Sequence, residues 1–140
     1  MKEDEIMANL LRVLIVDDSD VDTNLIIRKL RSEGYDPEWK RVETSEAMKE
    51  ALEREEWDVI LCDYKMPLFS LHAALKIVRE ENIDIPFILV SGTIGEDTAM
   101  EAMKSGVHNY VMKGNLCKLA ITIEKEISKA KKRRDKKSTD

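Results

Sequence analysis

Asp17 and Asp18 stand side by side at the end of the apolar run Val13-Leu14-Ile15-Val16, and Asp63 closes a second run, Val59-Ile60-Leu61-Cys62. Two later apolar segments end in a hydroxyl and an amine, Ser91 and Lys113. Three carboxylates gathered in one place repel one another unless a cation or a proton intervenes. An oxygen-lined pocket with few ligands suits Mg²⁺, which keeps several waters and often binds beside a phosphate. This residue set is equipped to handle a phosphoryl group. For one aspartate at one strand end, the ordinary reading is a solvated terminus followed by an N-cap, because Asp and Ser both favour such positions. Repetition on a second strand, with Ser91 and Lys113 on two more, favours the chemical reading.

The elements that must position these residues alternate regularly. Short apolar runs bounded by helical patterns suit strands buried on both faces of a parallel sheet. The pattern predicts strands over 12–16, 38–42, 59–63, 87–90 and 109–112. It predicts helices over 20–33, 45–55, 71–81 and 96–105, with a long final helix from Asn115. Thr44 is placed to cap the second helix, Gly34 stops the first and Gly106 ends the fourth as a C′ residue. Five β/α units imply an open, doubly wound α/β sheet with right-handed crossovers. A flavodoxin-like strand order of 2-1-3-4-5 puts the ends of the first and third strands beside the topological switch point, where such sheets bind ligands. Asp17, Asp18 and Asp63 then surround one crevice.

Composition narrows the function classes. The 140-residue chain is 43% hydrophobic and 36% charged, as expected of one soluble domain with a sizeable core. No apolar stretch is long enough to span a bilayer, and the acidic start of the chain lacks the pattern of a secretory signal, so the expected compartment is the cytoplasm. Cys62 and Cys117 belong to no CxxC pair or metal-ligand cluster and read as reduced structural thiols. His72 and His108 are isolated and read as surface or helix-edge residues without a catalytic role. There is no GxxxxGK[ST] loop and no GxGxxG turn, which disfavours nucleotide binding. The net charge of −5 conceals a basic run, Lys129-Ala130-Lys131-Lys132-Arg133-Arg134-Asp135-Lys136-Lys137. That run reads as a solvated helix end or the start of a linker, and nucleic-acid contact through it is the less favoured alternative. The expected layout is an extension over 1–10, a folded body over 11–129 and a basic tail over 130–140.

The ordered set resembles the receiver domain of two-component response regulators. It comprises Asp17-Asp18 after the first strand, Asp63 followed by Met66-Pro67 after the third, Ser91 after the fourth, and Tyr110 with Lys113 at the fifth. The resemblance covers about 11–129. It implies Mg²⁺-dependent transfer of a phosphoryl group from a phosphohistidine donor, a histidine kinase or histidine phosphotransfer protein, to Asp63. It further implies that Asp17, Asp18, Asp63 and the Lys65 carbonyl hold the metal, while Ser91 and Lys113 contact phosphoryl oxygens. Tyr110 becomes the aromatic switch residue, swinging inward as Ser91 moves to the phosphate. The module is then a signalling domain rather than an enzyme, a monomer or weak dimer. The segments 91–97 and 113–116 resemble, more loosely, receivers that work with sensory histidine kinases.

Three features depart from the family pattern. Receivers usually follow the lysine with proline, often through a cis peptide; Gly114 stands here, so a trans bond and a differently shaped loop are expected. A glycine common before the third helix is missing from Phe69-Ser70-Leu71. Lys65, two residues after Asp63, and Thr93, two after Ser91, flank the expected path of a hydrolytic water. A lysine there implies slow self-dephosphorylation. An aspartyl-phosphate phosphatase would want a second acid–base aspartate shortly after the nucleophile, where Tyr64 and Lys65 stand instead. A receiver-like module that binds partners without phosphorylation is the remaining alternative.

Overall fold

The computed structural model describes residues 9–92 and 94–139, without the side chains of 137–139. Among these residues five strands, β1 (Leu10–Val16), β2 (Asp36–Val42), β3 (Val59–Cys62), β4 (Phe87–Ser91) and β5 (Asn109–Met112), alternate with helices. These are α1 (Asp20–Ser32), α2 (Ser45–Arg54), α3 (Leu71–Glu80), α4 (Glu96–Ser105) and α5 (Leu119–Thr139). The strands form one parallel sheet in the order β2-β1-β3-β4-β5, the flavodoxin-like α/β arrangement that the alternation predicts.

Side-chain alternation along the central strands builds two cores. Leu11, Val13 and Ile15 of β1 join Val59, Leu61, Ile88 and Val90 beneath α1 and α5, meeting Ile26, Ile27, Leu30, Leu119 and Ile123. Leu14 and Val16 face the other way with Ile60, Cys62, Phe87 and Leu89, toward Met48, Leu52, Ala74 and Leu75 of α2 and α3. Each fully buried Leu, Ile or Phe contributes about 1.5–3 kcal/mol. The outer strands are more polar: Glu38 and Lys40 of β2 and Tyr110 of β5 are exposed.

The helices begin where side chains can satisfy free N–H groups. Ser19, Thr44 and Ser70 cap α1, α2 and α3, each accepting from the N–H three residues on at 3.1 Å. Ser70 thus occupies a useful place in the segment that lacks the family's glycine, between buried Phe69 and Leu71. Gly106 ends α4 at φ 122°, a conformation that a side chain would strain. The final helix differs from expectation. Lys113–Lys118 forms a 3-10 segment broken at Asn115 (φ −134°, ψ 45°), and regular helix begins only at Leu119. Among the described residues no peptide bond is cis, so the Lys113–Gly114 link is trans as expected. α5 continues through the basic run: Ala130 is fully buried and Arg133 Nη2 donates to Asp84 Oδ1 at 3.0 Å. No described helix is long and apolar enough to cross a membrane.

Candidate phosphoacceptor site

Strand register decides which polar residues meet. Val16 pairs with Cys62, and the Asp63 N–H donates to the Val16 carbonyl at 2.9 Å, so Asp17 and Asp63 leave adjacent strands side by side. Ser91 pairs with Met112, which brings Lys113 to the same edge. Carboxylate oxygens of Asp17, Asp18 and Asp63 all lie within 4.8 Å of one another. Asp17 and Asp63 are buried, whereas Asp18 is exposed and offers the open side of the crevice.

The hydrogen bonds divide the oxygens by role. Asp63 Oδ1 accepts from the Tyr64 N–H at 2.8 Å and from Ser91 Oγ at 3.1 Å. Asp63 Oδ2 has the Lys113 ammonium at 3.4 Å. Asp17 Oδ1 accepts from the Ser19 N–H at 2.9 Å, and its Oδ2 accepts from Lys113 Nζ at 3.1 Å. The serine hydroxyl is thus already bonded to the carboxylate, so any move to a phosphoryl oxygen exchanges one acceptor for another.

The electrostatics follow from crowding and burial. Burial raises the Asp17 carboxyl above the ordinary aspartate range, helped by the charge of Asp63 and opposed by the Ser19 N–H and Lys113. For Lys113, burial is the largest single effect and acts against the ammonium. The Asp22 hydrogen bond and the charges of Asp17 and Asp63 together outweigh it and hold the amine above the ordinary lysine range. Lys113 is therefore a firmly charged cation among carboxylates.

Two contributors were not identified from sequence. Asp22, in the first turn of α1, accepts from Lys113 Nζ at 2.7 Å, the shortest of that ammonium's three carboxylate contacts. Its only sequence signal is an acidic residue near a helix start, which ordinarily serves the helix dipole. Arg41 of β2 donates through Nη1 to the Asp17 carbonyl at 3.1 Å, and its Nε lies 2.8 Å from Asp20 Oδ1. It pins the acidic loop from the neighbouring strand, a contact that only the β1–β2 register reveals.

Other expected residues lie at the margin. Lys65 is exposed in the loop after β3, while Thr93 falls outside the described residues. Tyr110 is 42% exposed, so it is not a core-packing tyrosine in this conformation. Met100, Met103 and Ile121 are also exposed on the elements flanking it. His108 is a half-buried residue at the opposite edge of the sheet rather than a surface one; its Nδ1 accepts from the Phe87 N–H at 2.9 Å.

Comparison with known proteins identifies the family. The family model of the response regulator receiver domain matches residues 13–124. Over 105 residues the chain is 30% identical to a chemotaxis protein CheY homolog of Campylobacter jejuni, covering 74% of this chain and 81% of that protein. Over 120 residues it is 30% identical to the transcriptional regulatory protein ZraR of Klebsiella oxytoca, covering 83% of this chain but only 26% of the regulator. The receiver domain of Francisella response regulator 1452 superimposes with a TM-score of 0.72 at 25% identity, over 85% of this chain and 98% of that one. A receiver domain from a Pseudomonas aeruginosa sensor histidine kinase matches with a TM-score of 0.70 at 22% identity, over 84% of this chain and 98% of that one; magnesium is coordinated in its active site cleft. The chain belongs to the response regulator receiver domain family of two-component signalling.

Proposed function

We propose that this domain accepts a phosphoryl group on Asp63 from the phosphohistidine of a histidine kinase or histidine phosphotransfer protein. The observation that supports it best is the convergence of three carboxylates with Lys113 and Ser91 at one sheet edge. The donor set, carboxylate oxygens without thiolate or imidazole, fits Mg²⁺ held by Asp17, Asp18 and Asp63, with the Lys65 carbonyl as a further oxygen. When bound, Mg²⁺ would offset the charge of the carboxylates and of the incoming phosphoryl oxygens.

The chain's own residues supply the rest. Asp63 Oδ1 accepts from Tyr64 and Ser91, while Oδ2, the oxygen facing Lys113, is the nucleophile. As the bond from Oδ2 to phosphorus forms, the phosphorus–nitrogen bond to the donor imidazole breaks and the electron pair returns to that ring. Lys113 offsets charge on the equatorial oxygens, the main demand of a loose phosphoryl-transfer transition state. Ser91 then exchanges the carboxylate for a phosphoryl oxygen, and outward Tyr110 moves toward the space it leaves. A contact made only in the phosphorylated state is what shifts such an equilibrium.

The test is incubation with Mg²⁺ and acetyl phosphate, followed by intact mass. Wild type should gain one phosphoryl group, and Asp63→Asn none. A wild type that binds Mg²⁺ but takes no phosphoryl group from acetyl phosphate or phosphoramidate would sink the reading. In the same assay Lys65→Ala should lose its phosphoryl group several-fold faster than wild type, because water gains access to phosphorus; on the order of 1 kcal/mol separates such rates. Equal lifetimes would remove Lys65 from the account.

A further inference from the structure

The cation set and the Lys113 contacts do not coincide. Asp22 lies outside the group of carboxylates that could share a metal, yet it makes the shortest bond to Lys113 Nζ, 2.7 Å against 3.1 Å to Asp17 and 3.4 Å to Asp63. Asp22 and Asp17 hold two of the ammonium's three donors by hydrogen bonds, and Asp63 lies close enough to attract the third. An arriving phosphoryl oxygen therefore competes with these carboxylates for the amine. Asp17 and Asp63 belong to the cation cluster itself, which leaves Asp22 as the partner that can be given up.

Asp22 is well placed to hold. Its backbone N–H donates to the Ser19 cap at 3.1 Å, which fixes the first turn of α1, and a helix N-terminus favours a carboxylate. Its side chain is 34% exposed while that of Lys113 is 19% exposed, so the pair is partly shielded from solvent yet open on one side. A half-shielded ion pair is strong enough to set a resting geometry and weak enough to break.

We propose that Asp22 is a positioning residue that anchors the Lys113 ammonium in the resting state, an internal anion with which the phosphoryl group competes. The inference deepens the phosphoacceptor reading and rests on it. Removing the competitor should make the site take a phosphoryl mimic more tightly, because Lys113 no longer gives up its best partner. Asp22→Asn preserves shape and removes the charge.

The experiment titrates the Mg²⁺-loaded protein with beryllium fluoride, followed by ¹⁹F NMR, in wild type, Asp22→Asn, Lys113→Ala and the double variant. Asp22→Asn should tighten binding roughly two- to fivefold, the upper part of the range for a partly exposed ion pair. The same substitution in the Lys113→Ala background should change nothing, since Asp22 acts through that amine. Unchanged or weaker binding in Asp22→Asn, or an equal gain without Lys113, would overturn the proposal. In metal-free protein the Lys113 ammonium ¹⁵Nζ signal should be protected from exchange and should lose that protection in Asp22→Asn. If wild type takes no beryllium fluoride, the phosphoacceptor reading fails, and this signal alone decides the anchor: unchanged protection overturns it.

Discussion

The two edges of the sheet handle charge in opposite ways. At the C-terminal edge Asp17, Asp18 and Asp63 crowd together, and two of them, Asp17 and Asp63, share the Lys113 ammonium with Asp22. At the N-terminal edge the two aspartates at the starts of β3 and β4 each meet a complement. Asp58 accepts from the Arg12 N–H at 2.8 Å. Asp84 accepts from Arg133 Nη2 at 3.0 Å, and Arg134 Nη1 donates to the Asp84 carbonyl at 2.9 Å. Both edges satisfy their buried atoms, since no described buried side-chain N or O lacks a partner. They differ in net charge. The first edge sets four carboxylates around one ammonium; at the second, Asp84 is paired with a guanidinium. An edge built for stability and one built for binding can thus be told apart by charge balance, even where hydrogen bonding is equally full.

The largest expected effect comes from breaking the balance at the second edge. Asp84→Ala removes the acceptor of Arg133 and leaves several cations of α5 near one another. It should cost about 1 kcal/mol in a denaturant titration, the upper part of the range for a partly exposed pair. Phosphoryl uptake at the far edge should be unchanged. Asp18→Asn should act with the opposite sign, raising the metal-free melting temperature by relieving like-charge repulsion while weakening Mg²⁺ binding. If both variants destabilise the metal-free protein equally, the contrast between the edges is wrong.

The same contrast explains what was legible in the sequence. Strand order and the meeting of Asp17, Asp18, Asp63, Ser91 and Lys113 could be read because each ends an apolar run, and parallel strands send their ends to one edge. Asp22 and Arg41 could not. Their contacts depend on how α1 and β2 pack beside β1, across separations of 91 and 24 residues. The 3-10 segment before α5 was equally hidden, because the backbone break at Asn115 has no strong residue signal. His108 looked like an isolated surface histidine; its role as acceptor for Phe87 follows only from the pairing of β4 with β5.

A middle-sized effect belongs to that histidine. Burial, then the charge of Arg133, lowers its pKa from 6.5, while Glu126 and Asp84 act the other way and Lys129 adds to the lowering. The geometry agrees, because protonating Nδ1 would destroy its acceptance from Phe87. Between the lowered folded value and the ordinary unfolded value, the unfolded chain binds the extra proton. The stabilisation is therefore fully present above about pH 6.5 and is lost as pH falls through the folded value. Wild type should lose melting temperature faster than His108→Gln on going from pH 7 to pH 5. Parallel profiles would show that other groups set the acid sensitivity of this edge.

The smallest effect is expected at Tyr110. It sits on edge strand β5 at 42% exposure, and Met100 and Met103 of α4 and Ile121 of α5 are exposed as well. An outward tyrosine with that much contact with water gives up little when truncated, so Tyr110→Ala should change resting stability by no more than about 0.5 kcal/mol. The phosphorylated state is different if the ring moves inward. Burying an aromatic ring adds apolar stabilisation that the resting state lacks, so the same truncation should then matter. The measurement is the melting temperature of wild type and Tyr110→Ala, each with and without beryllium fluoride and Mg²⁺. A difference between the two proteins that appears only with the mimic places the ring's movement in the switched state. An equal difference in both conditions means that the ring does not report on the site, and the acceptor exchange at Ser91 ends without reaching β5.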